Sequence, residues 1–292
     1  MLRAALPALP FFALAIAATL PAPPPARVDK VSDTIHGVSI ADPYRWLEDQ
    51  NSPETRAWIK AQMDYTQSIL AEIPRRGQIR ARLERYARLE SSSVPVVAGG
   101  RYFYGRRLPD ENQAKLYVAD GPNGTPRVLV DPAPLSPGET TAVSLLDVAR
   151  DGTLIAYGLR RGGEDETTMT FLDIGTGKEL ADRFPRGRYF GVSITPDHGR
   201  LYYSTFSSSG PRVFLHRFGA DPRSDTEIFG KEYGKDYIVG ARLSEDGRYL
   251  IYRVAKGSSG QSDIYFQDVE RNGPITAYIG QFWQEFPHLF AD

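Results

Sequence analysis

The sequence predicts a mainly β protein in which about three to four β-propeller blades follow an α-helical N-terminal arm. Two observations support this fold class. Apolar side chains recur with helical spacing up to about residue 88, and beyond it the chain becomes a series of short aromatic and β-branched runs broken by Gly, Pro, Asp and Ser. In the second region a tight turn followed by a strand occurs four times.

Residues 1–26 have the layout of a secretory signal peptide. A positively charged start precedes an apolar, Ala-rich run over residues 4–20, and small residues and prolines follow, with Ala22 or Ala26 as the last residue before cleavage. A membrane anchor is the alternative, but two prolines interrupt the run and its length is marginal for crossing a bilayer. We therefore expect export to a periplasm or to the cell exterior.

Residues 27–88 form the predicted helical arm. Ser52 can cap a helix whose first position is Pro53, and the helix should end near Ile73, before Pro74. A second helix is expected over residues 78–88. The apolar row of the first helix contains Trp58, Ala61, Tyr65 and Ile69, and that of the second contains Ile79, Leu83 and Tyr86.

Residues 89–292 carry the repeat. Its turns begin at Gly99, Asp151, Asp197 and Asp246, and the three aspartates lie 46 and 49 positions apart (197 − 151 and 246 − 197). A glycine in each turn supplies the positive φ that such a turn needs. Further strands are expected at residues 115–118, 127–130, 169–174, 213–217, 227–229, 264–269 and 275–279. The period fits propeller blades, whereas a β-sandwich would not keep the turns in phase.

Composition excludes several classes of function. The net charge of −1 argues against electrostatic binding of nucleic acid. Without cysteine, disulfides and thiolate chemistry are excluded. The four histidines (His36, His198, His216 and His288) have no metal-ligand spacing, so neither a metal nor another cofactor is expected.

The sequence offers no catalytic nucleophile. An α/β-hydrolase serine needs a Gly-x-Ser-x-Gly elbow, and the nearest approaches, around Ser193 and Ser259, lack the second glycine in place. Both fall inside the repeat. We assign no catalytic residue, and we expect His36 to have a structural role as a packed or hydrogen-bonded side chain.

Residues 33–49 contain a long motif with Trp and Tyr among its fixed letters. Its members are His36, Gly37, Asp42, Pro43, Tyr44, Arg45, Trp46, Leu47, Glu48 and Asp49. This motif closely resembles the N-terminal signature of the prolyl oligopeptidase family of serine peptidases, and the resemblance continues through the repeat region to residue 292. One departure is Glu166, where such sequences often carry Trp.

The resemblance implies a seven-bladed propeller inserted into an α/β-hydrolase domain, with the arm belonging to that second domain. It implies a serine endopeptidase that hydrolyses short peptides after proline, or in a related form after basic residues. Its Ser-Asp-His triad would lie in a segment beyond residue 292, so this chain is expected to be inactive alone. Residues lining the substrate channel would correspond to Tyr189 and Ile238, where the family favours Phe and Met.

A second hypothesis treats the chain as a non-catalytic propeller used for binding or scaffolding, or as a degenerate remnant. Its weakness is the exposed apolar surface that a few blades and a lone arm would leave. Downstream nucleotide sequence encoding a Gly-x-Ser-x-Gly-Gly elbow would separate the two hypotheses.

Overall fold

The structure, a computed structural model, describes residues 20–282 except 136, 137 and 139. The chain divides between Tyr86 and Ala87 into two compact units. We call them the helical unit and the blade unit. No helix among the described residues is long and apolar enough to cross a lipid bilayer.

The helical unit begins with a hairpin that the sequence did not predict. Strands β1 (Ser32–Ile35) and β2 (Val38–Ala41) pair antiparallel. Their turn consists of His36 and Gly37, with φ angles of 50° and 80°. Two consecutive residues with positive φ are typical of the tightest hairpin turns, whose twist matches that of the strands. A short 3₁₀ helix, Arg45–Glu48, follows.

Two helices complete this unit. Helix α1 spans Pro53–Ala71, and the N–H of Thr55 donates to the Ser52 hydroxyl at 3.1 Å, which confirms the predicted N-cap. The helix ends two residues before the predicted limit. Helix α2 spans Arg76–Ala87.

The blade unit contains four antiparallel sheets in chain order. Sheet 1 contains β3 (Ser91–Ser92), β4 (Val96–Ala98), β5 (Arg101–Arg107), β6 (Lys115–Asp120) and β7 (Arg127–Val130). Sheet 2 contains β8 (Thr141–Val148), β9 (Leu154–Arg161) and β10 (Thr168–Asp173). Sheet 3 contains β11 (Tyr189–Ile194), β12 (Arg200–Ser207), β13 (Gly210–Arg217) and β14 (Thr226–Phe229). Sheet 4 contains β15 (Tyr237–Leu243), β16 (Tyr249–Lys256), β17 (Ser262–Asp268) and β18 (Thr276–Phe282).

The repeated turns join the first two strands of sheets 2, 3 and 4. In each turn the aspartate Oδ1 (Asp151, Asp197 or Asp246) accepts the N–H of the residue two positions later, at 3.0 or 3.1 Å. A glycine supplies the positive φ in the first and third of these turns. In the second turn His198 does so, with φ of 53°, and not Gly199 as the sequence pattern indicated. Histidine is among the residues that tolerate this region better than most.

Apolar side chains are buried mainly between successive sheets. Phe103 of sheet 1 packs with Ile155 of sheet 2, and Phe171 of sheet 2 packs with Leu201 of sheet 3. Val213 of sheet 3 packs with Val239 of sheet 4. We call these clusters the first, second and third interblade cores. Face-to-face packing of consecutive antiparallel sheets, each built from neighbouring strands of the chain, is the arrangement of propeller blades.

The mainly β prediction, with blades after a helical segment, is therefore confirmed. The predicted strands of the repeat are all present, most of them one to four residues longer. The sequence did not reveal β8, β11 and β15, the first strands of their sheets, because their runs are less strongly patterned.

Candidate functional site

The first strands of sheets 3 and 4 lie close enough for direct backbone contact. A Cβ atom at Gly191 in β11 would lie 2.3 Å from the carbonyl oxygen of Ala241 in β15. One at Gly240 would lie 3.3 Å from the carbonyl oxygen of Phe190. Residue 190 lies beside residue 240, and residue 191 lies beside residue 241. The residue numbers therefore rise in the same sense along both strands, so β11 and β15 run in the same direction.

The two residues predicted to line a channel occupy equivalent positions on these strands. Tyr189 and Ile238 each precede the turn aspartate of their own sheet by eight residues (197 − 189 and 246 − 238). Ile238 is 39% exposed, and the neighbouring Phe190 is 40% exposed. Residues 189, 190 and 238 are called the inner-strand surface below. The exposure of Phe190 could not be predicted from the sequence, because a Phe in a strand is equally typical of a core position.

Tyr189 is held more firmly than Ile238. Its hydroxyl donates to the carbonyl oxygen of Pro185, and its ring meets the Tyr203 ring edge-on at a centroid distance of 6.1 Å. Burial raises the pKa of Tyr189, so its hydroxyl stays protonated across the physiological range. This side chain can offer an aromatic surface but not a base.

Polar side chains tie the first strand of one sheet to that of the next. Asp147 in β8 accepts the N–H of Ile194 through Oδ2 at 2.7 Å, and Ser193 accepts the N–H of Leu243 through Oγ at 3.1 Å. Both precede the turn aspartate of their sheet by four residues. This repetition is not visible in the sequence, because Asp and Ser share only the ability to accept a hydrogen bond.

Asp147, on β8, is a buried carboxyl group whose pKa departs from its ordinary value. Burial raises its pKa to about 6, although the Ile194 N–H and the Arg242 charge act in the opposite direction. The guanidinium of Arg242 lies 3.9 Å from the carboxylate and is 72% exposed. A carboxyl group that changes charge near pH 6 is therefore present on β8.

The hairpin loop between β9 and β10 explains the departure at Glu166. Glu164 and Glu166 pair with Arg186 at 2.9 and 3.0 Å, and Asp165 pairs with Arg188 at 2.9 Å. The loop is thus held by ion pairs to the segment that leads into Tyr189. All these side chains are half exposed or more, so salt will weaken the pairs.

The signature motif forms a hydrogen-bonded brace inside the helical unit. Arg45 donates through Nε to Asp42 at 2.9 Å and through Nη1 to Asp33 at 3.1 Å. Its bond to Asp33 lowers the pKa of that carboxyl. The Trp46 indole N–H donates to the Arg27 carbonyl at 2.9 Å, and its ring meets Trp58 edge-on.

The other members of the motif occupy backbone positions around this brace. The Pro43 carbonyl accepts the Asp29 N–H, the Leu47 N–H donates to the Tyr44 carbonyl, and Glu48 ends the 3₁₀ helix. Asp49 accepts the Asn51 N–H through Oδ1 at 3.1 Å. His36 and Gly37 form the exposed hairpin turn, so the structural role of His36 lies in its backbone conformation, and its side chain is exposed.

The two serines nearest to an elbow motif have structural surroundings. Ser193 is buried in β11, where it bonds Leu243 as described above. Ser259 lies in the turn between β16 and β17, and its hydroxyl donates to the Lys256 carbonyl at 2.6 Å. Among the described residues, no group of three or more His, Asp or Glu side chains is arranged to hold a metal ion.

Known proteins resemble this chain in both sequence and fold. The family model for the prolyl oligopeptidase N-terminal beta-propeller domain matches residues 23–286. The prolyl endopeptidase of Elizabethkingia miricola is 30% identical to this chain over 263 residues, and that of Elizabethkingia meningoseptica is 29% identical over 262 residues. A structure from a study of two prolyl endopeptidases and their inter-domain dynamics superposes with a TM-score of 0.77 at 29% identity, covering 89% of this chain and 40% of that one.

The match covers most of this chain but a smaller share of its relatives. Each Elizabethkingia alignment includes 86% of this chain and 37% of the relative. The chain thus spans about 37% of the length of these two relatives. The family match over residues 23–286 covers both the signature motif and the four sheets. The chain belongs to the prolyl oligopeptidase family, in the region of its N-terminal β-propeller domain.

Proposed function

We propose that this chain supplies the propeller blades and the helical arm of an exported serine endopeptidase that hydrolyses short peptides after proline. In the complete enzyme, a Ser-Asp-His triad would come from a hydrolase segment outside the described sheets. The blades would limit access to that triad, and short proline-containing peptides would be the substrates.

One observation carries this proposal. The family match extends without interruption over the signature motif and all four blades, and the two relatives described above are prolyl endopeptidases. The contacts of the structure support the proposal. The brace around Arg45 stabilises the arm, and the interblade cores stabilise the blades that would form the lid. They favour an enzyme part over a binding module, which would need no such arm.

A chimeric enzyme tests the proposal directly. The segment of the Elizabethkingia miricola prolyl endopeptidase that matches this chain is replaced by the corresponding residues of this chain. We expect the chimera to cleave a Gly-Pro-linked chromogenic peptide and to lose this activity with a serine-directed inhibitor. A chimera that folds, judged by near-UV circular dichroism, but cleaves no such peptide contradicts the proposal.

The same chimera tests the inner-strand surface. Ile238→Ala removes exposed apolar surface where the substrate would pass, so we expect KM to rise about tenfold with kcat little changed. Tyr278→Ala is the matched control, since Tyr278 is exposed in β18, on the opposite edge of the same sheet. Equal kinetics for the two variants would remove Ile238 from the proposed substrate path.

The chain without a hydrolase segment should be inactive. We expect no hydrolysis of the Gly-Pro peptide by the purified chain, because the proposed triad would come from the hydrolase segment. Turnover that a serine-directed inhibitor abolishes would show that the chain carries its own nucleophile.

Export is proposed from residues 1–26 and is tested by mass spectrometry of the secreted chain. Its mature N-terminus should follow Ala22 or Ala26. The choice affects α1, because Gln62 bonds the Pro24 carbonyl at 2.7 Å and Tyr65 bonds the Pro21 carbonyl at 2.6 Å. Cleavage after Ala22 keeps the first contact, and cleavage after Ala26 removes both. An unprocessed chain in the cytoplasm contradicts export.

A further inference from the structure

The segment that leads into the hairpin of the helical unit is rich in proline. Residues 21–25 have the sequence Pro-Ala-Pro-Pro-Pro, and among the described residues no helix or strand precedes β1. Proline fixes φ at about −65°, which suits the polyproline II helix, a conformation with three residues per turn and no internal hydrogen bonds. The carbonyl groups of such a segment are therefore free to accept hydrogen bonds from a partner.

Two carbonyl groups of this segment accept hydrogen bonds from side chains of α1. The Tyr65 hydroxyl donates to the Pro21 carbonyl at 2.6 Å, and Gln62 Nε2 donates to the Pro24 carbonyl at 2.7 Å. The two acceptors are three residues apart, which is one turn of a polyproline II helix, so their carbonyls point the same way. The two donors are also three positions apart and lie on one face of α1. The segment thus lies along this face in the direction opposite to α1.

Arg27 continues the spacing and anchors the end of the segment. Its carbonyl, three residues beyond that of Pro24, accepts the Trp46 indole N–H at 2.9 Å. Its guanidinium pairs with Glu54 at 2.9 Å and lies over the Trp46 ring, with Cζ 5.2 Å from the ring centroid. Grooves that bind proline-rich peptides are lined by aromatic side chains, which Trp46 and Tyr65 provide here.

The same face of α1 offers contacts that the chain's own segment leaves unused. The indole N–H of Trp58 is buried and has no acceptor among the described residues. Trp58 and Gln62 also line a cavity of about 260 Å³, together with Ile59 and Met63. A buried donor without an acceptor costs free energy, so a peptide carbonyl that reaches this indole gains a hydrogen bond that residues 21–26 do not make. We use the name α1 groove for the side chains of Trp46, Trp58, Gln62 and Tyr65.

We propose that the α1 groove is a binding site for proline-rich peptides with Pro-x-x-Pro spacing, and that residues 21–26 occupy it until they are removed. The removal rests on the export proposed above, since cleavage after Ala26 takes away both proline carbonyls and leaves Arg27 in place. The binding chemistry does not depend on export. The ligand is a peptide because the donors of the groove are matched to main-chain carbonyls three residues apart.

Peptide binding to the full-length chain tests the proposal. Residues 21–26 are replaced by alternating Gly and Ser, which opens the groove without shortening the chain. A fluorescein-labelled peptide with the sequence of residues 20–26 is then titrated and followed by fluorescence anisotropy. We expect saturable binding to this Gly-Ser chain and weaker binding to the wild type, whose tethered segment competes at an effective concentration on the order of millimolar. Equal binding by the two chains, or none by the Gly-Ser chain, would overturn the proposal.

A second variant keeps this test decisive if the replacement disturbs α1. Far-UV circular dichroism compares the helix content of the Gly-Ser chain with that of the wild type. Should it fall, the double variant Pro21→Gly/Pro24→Gly takes its place, because it loosens the tethered segment and keeps every carbonyl. This variant should bind the peptide more tightly than the wild type does, and an unchanged affinity would contradict the proposal.

Two comparisons test which contacts recognise the peptide. In the Gly-Ser chain, Tyr65→Phe removes one donor and should weaken binding by about two- to tenfold, whereas Tyr86→Phe on α2 should leave it unchanged. A peptide with glycine at its four proline positions keeps its carbonyls but loses the preformed conformation, so it should bind about tenfold more weakly or worse. Equal affinities in either comparison would contradict recognition of a polyproline II helix by this groove. None of these titrations depends on peptidase activity or on export, so their failure is separate from failure of the proposed function.

Discussion

The helical unit and the blade unit reach their structures by different physical means. In α1 and α2 the one buried residue is Thr55, whose hydroxyl donates to the Trp46 carbonyl at 3.0 Å. Ile79 and Leu83 of α2 are 56% and 62% exposed. In the blade unit, the apolar side chains of the three interblade cores are almost completely buried between neighbouring sheets. The helical unit thus depends on a few specific polar contacts, whereas the blades depend on repeated apolar packing, and substitutions should separate the two.

The largest effect is expected from Leu201→Ala in the second interblade core. Leu201 has no exposed surface, and truncating such a side chain leaves a cavity, so the free energy of unfolding should fall by about 2–5 kcal/mol. Urea unfolding followed by far-UV circular dichroism measures the loss. Leu83→Ala on α2 is the control and should change stability by less than about 0.5 kcal/mol. Similar losses at both sites would erase the contrast between the units.

Asp147→Asn should reveal the cost of a buried charge in the blade unit. Because burial raises the pKa of Asp147 to about 6, the folded chain binds more protons than the unfolded chain between about pH 4 and 6. Stability therefore falls as pH rises through this range, by roughly 3 kcal/mol in total. The amide does not titrate and still accepts the Ile194 N–H.

The measurement for Asp147 is urea unfolding at pH 4.5 and pH 7.5. Asp147→Asn should be more stable than the wild type at pH 7.5, with the difference much reduced at pH 4.5. Asp197→Asn is the control, since hydrogen bonds lower the pKa of that exposed turn carboxyl and its pH dependence has the opposite sign. Parallel pH profiles for the wild type and Asp147→Asn would refute a perturbed carboxyl on β8.

Gly191→Ala should force β11 and β15 apart. Its new methyl group would overlap backbone atoms of Ala241, which cannot turn away as a side chain can, so we expect a loss of about 1–3 kcal/mol. Gly77→Ala in α2 provides the opposite case. No atom lies within 4 Å of its added Cβ, and the exchange should stabilise the helix by about 0.5–1 kcal/mol. Opposite signs for the two substitutions, measured by thermal unfolding, would sharpen the comparison.

Ser52→Ala should have a smaller effect than the substitutions in the blade unit, and in the helical unit alone. The cap of α1 is lost, at a cost of about 1 kcal/mol. Fluorescence of Trp46 and Trp58 in a Trp283→Phe background reports on this unit. Ser68→Ala, which removes an exposed hydroxyl bonded within α1, should change little. A loss as large as that of Leu201→Ala would mean that the helical unit depends on this one cap far more than its other contacts indicate.

The sequence contained the information for the parts of the fold that depend on local rules. Ser52 and Pro53 mark the start of α1, and the aspartates of the repeated turns accept the backbone bonds that such turns require. His198 shows the limit of this approach, because the backbone conformation was predicted correctly but was assigned to the wrong residue. Tyr189 and Ile238, in contrast, were named through the family resemblance, and their role in lining a channel stays a prediction.

Contacts between distant segments could not be predicted in the same way. His216 contacts Asp182, 34 residues away, and Asp225, nine residues away, and no spacing rule connects the three. The tie from Asp147 to Ile194 uses a side chain whose only shared property with Ser193 is an acceptor oxygen. Such contacts depend on how two sheets meet, which a single sequence does not specify.

The position of the apolar cores has a consequence for engineering this protein. Each core is shared by two neighbouring sheets, and the exposed tips of some hairpins lie outside the cores. The turn at residues 257–260 is such a tip, with glycines of positive φ at both ends. A fluorescent label or a short affinity tag inserted there should leave folding unchanged, whereas deleting a middle sheet would expose the cores on both of its sides.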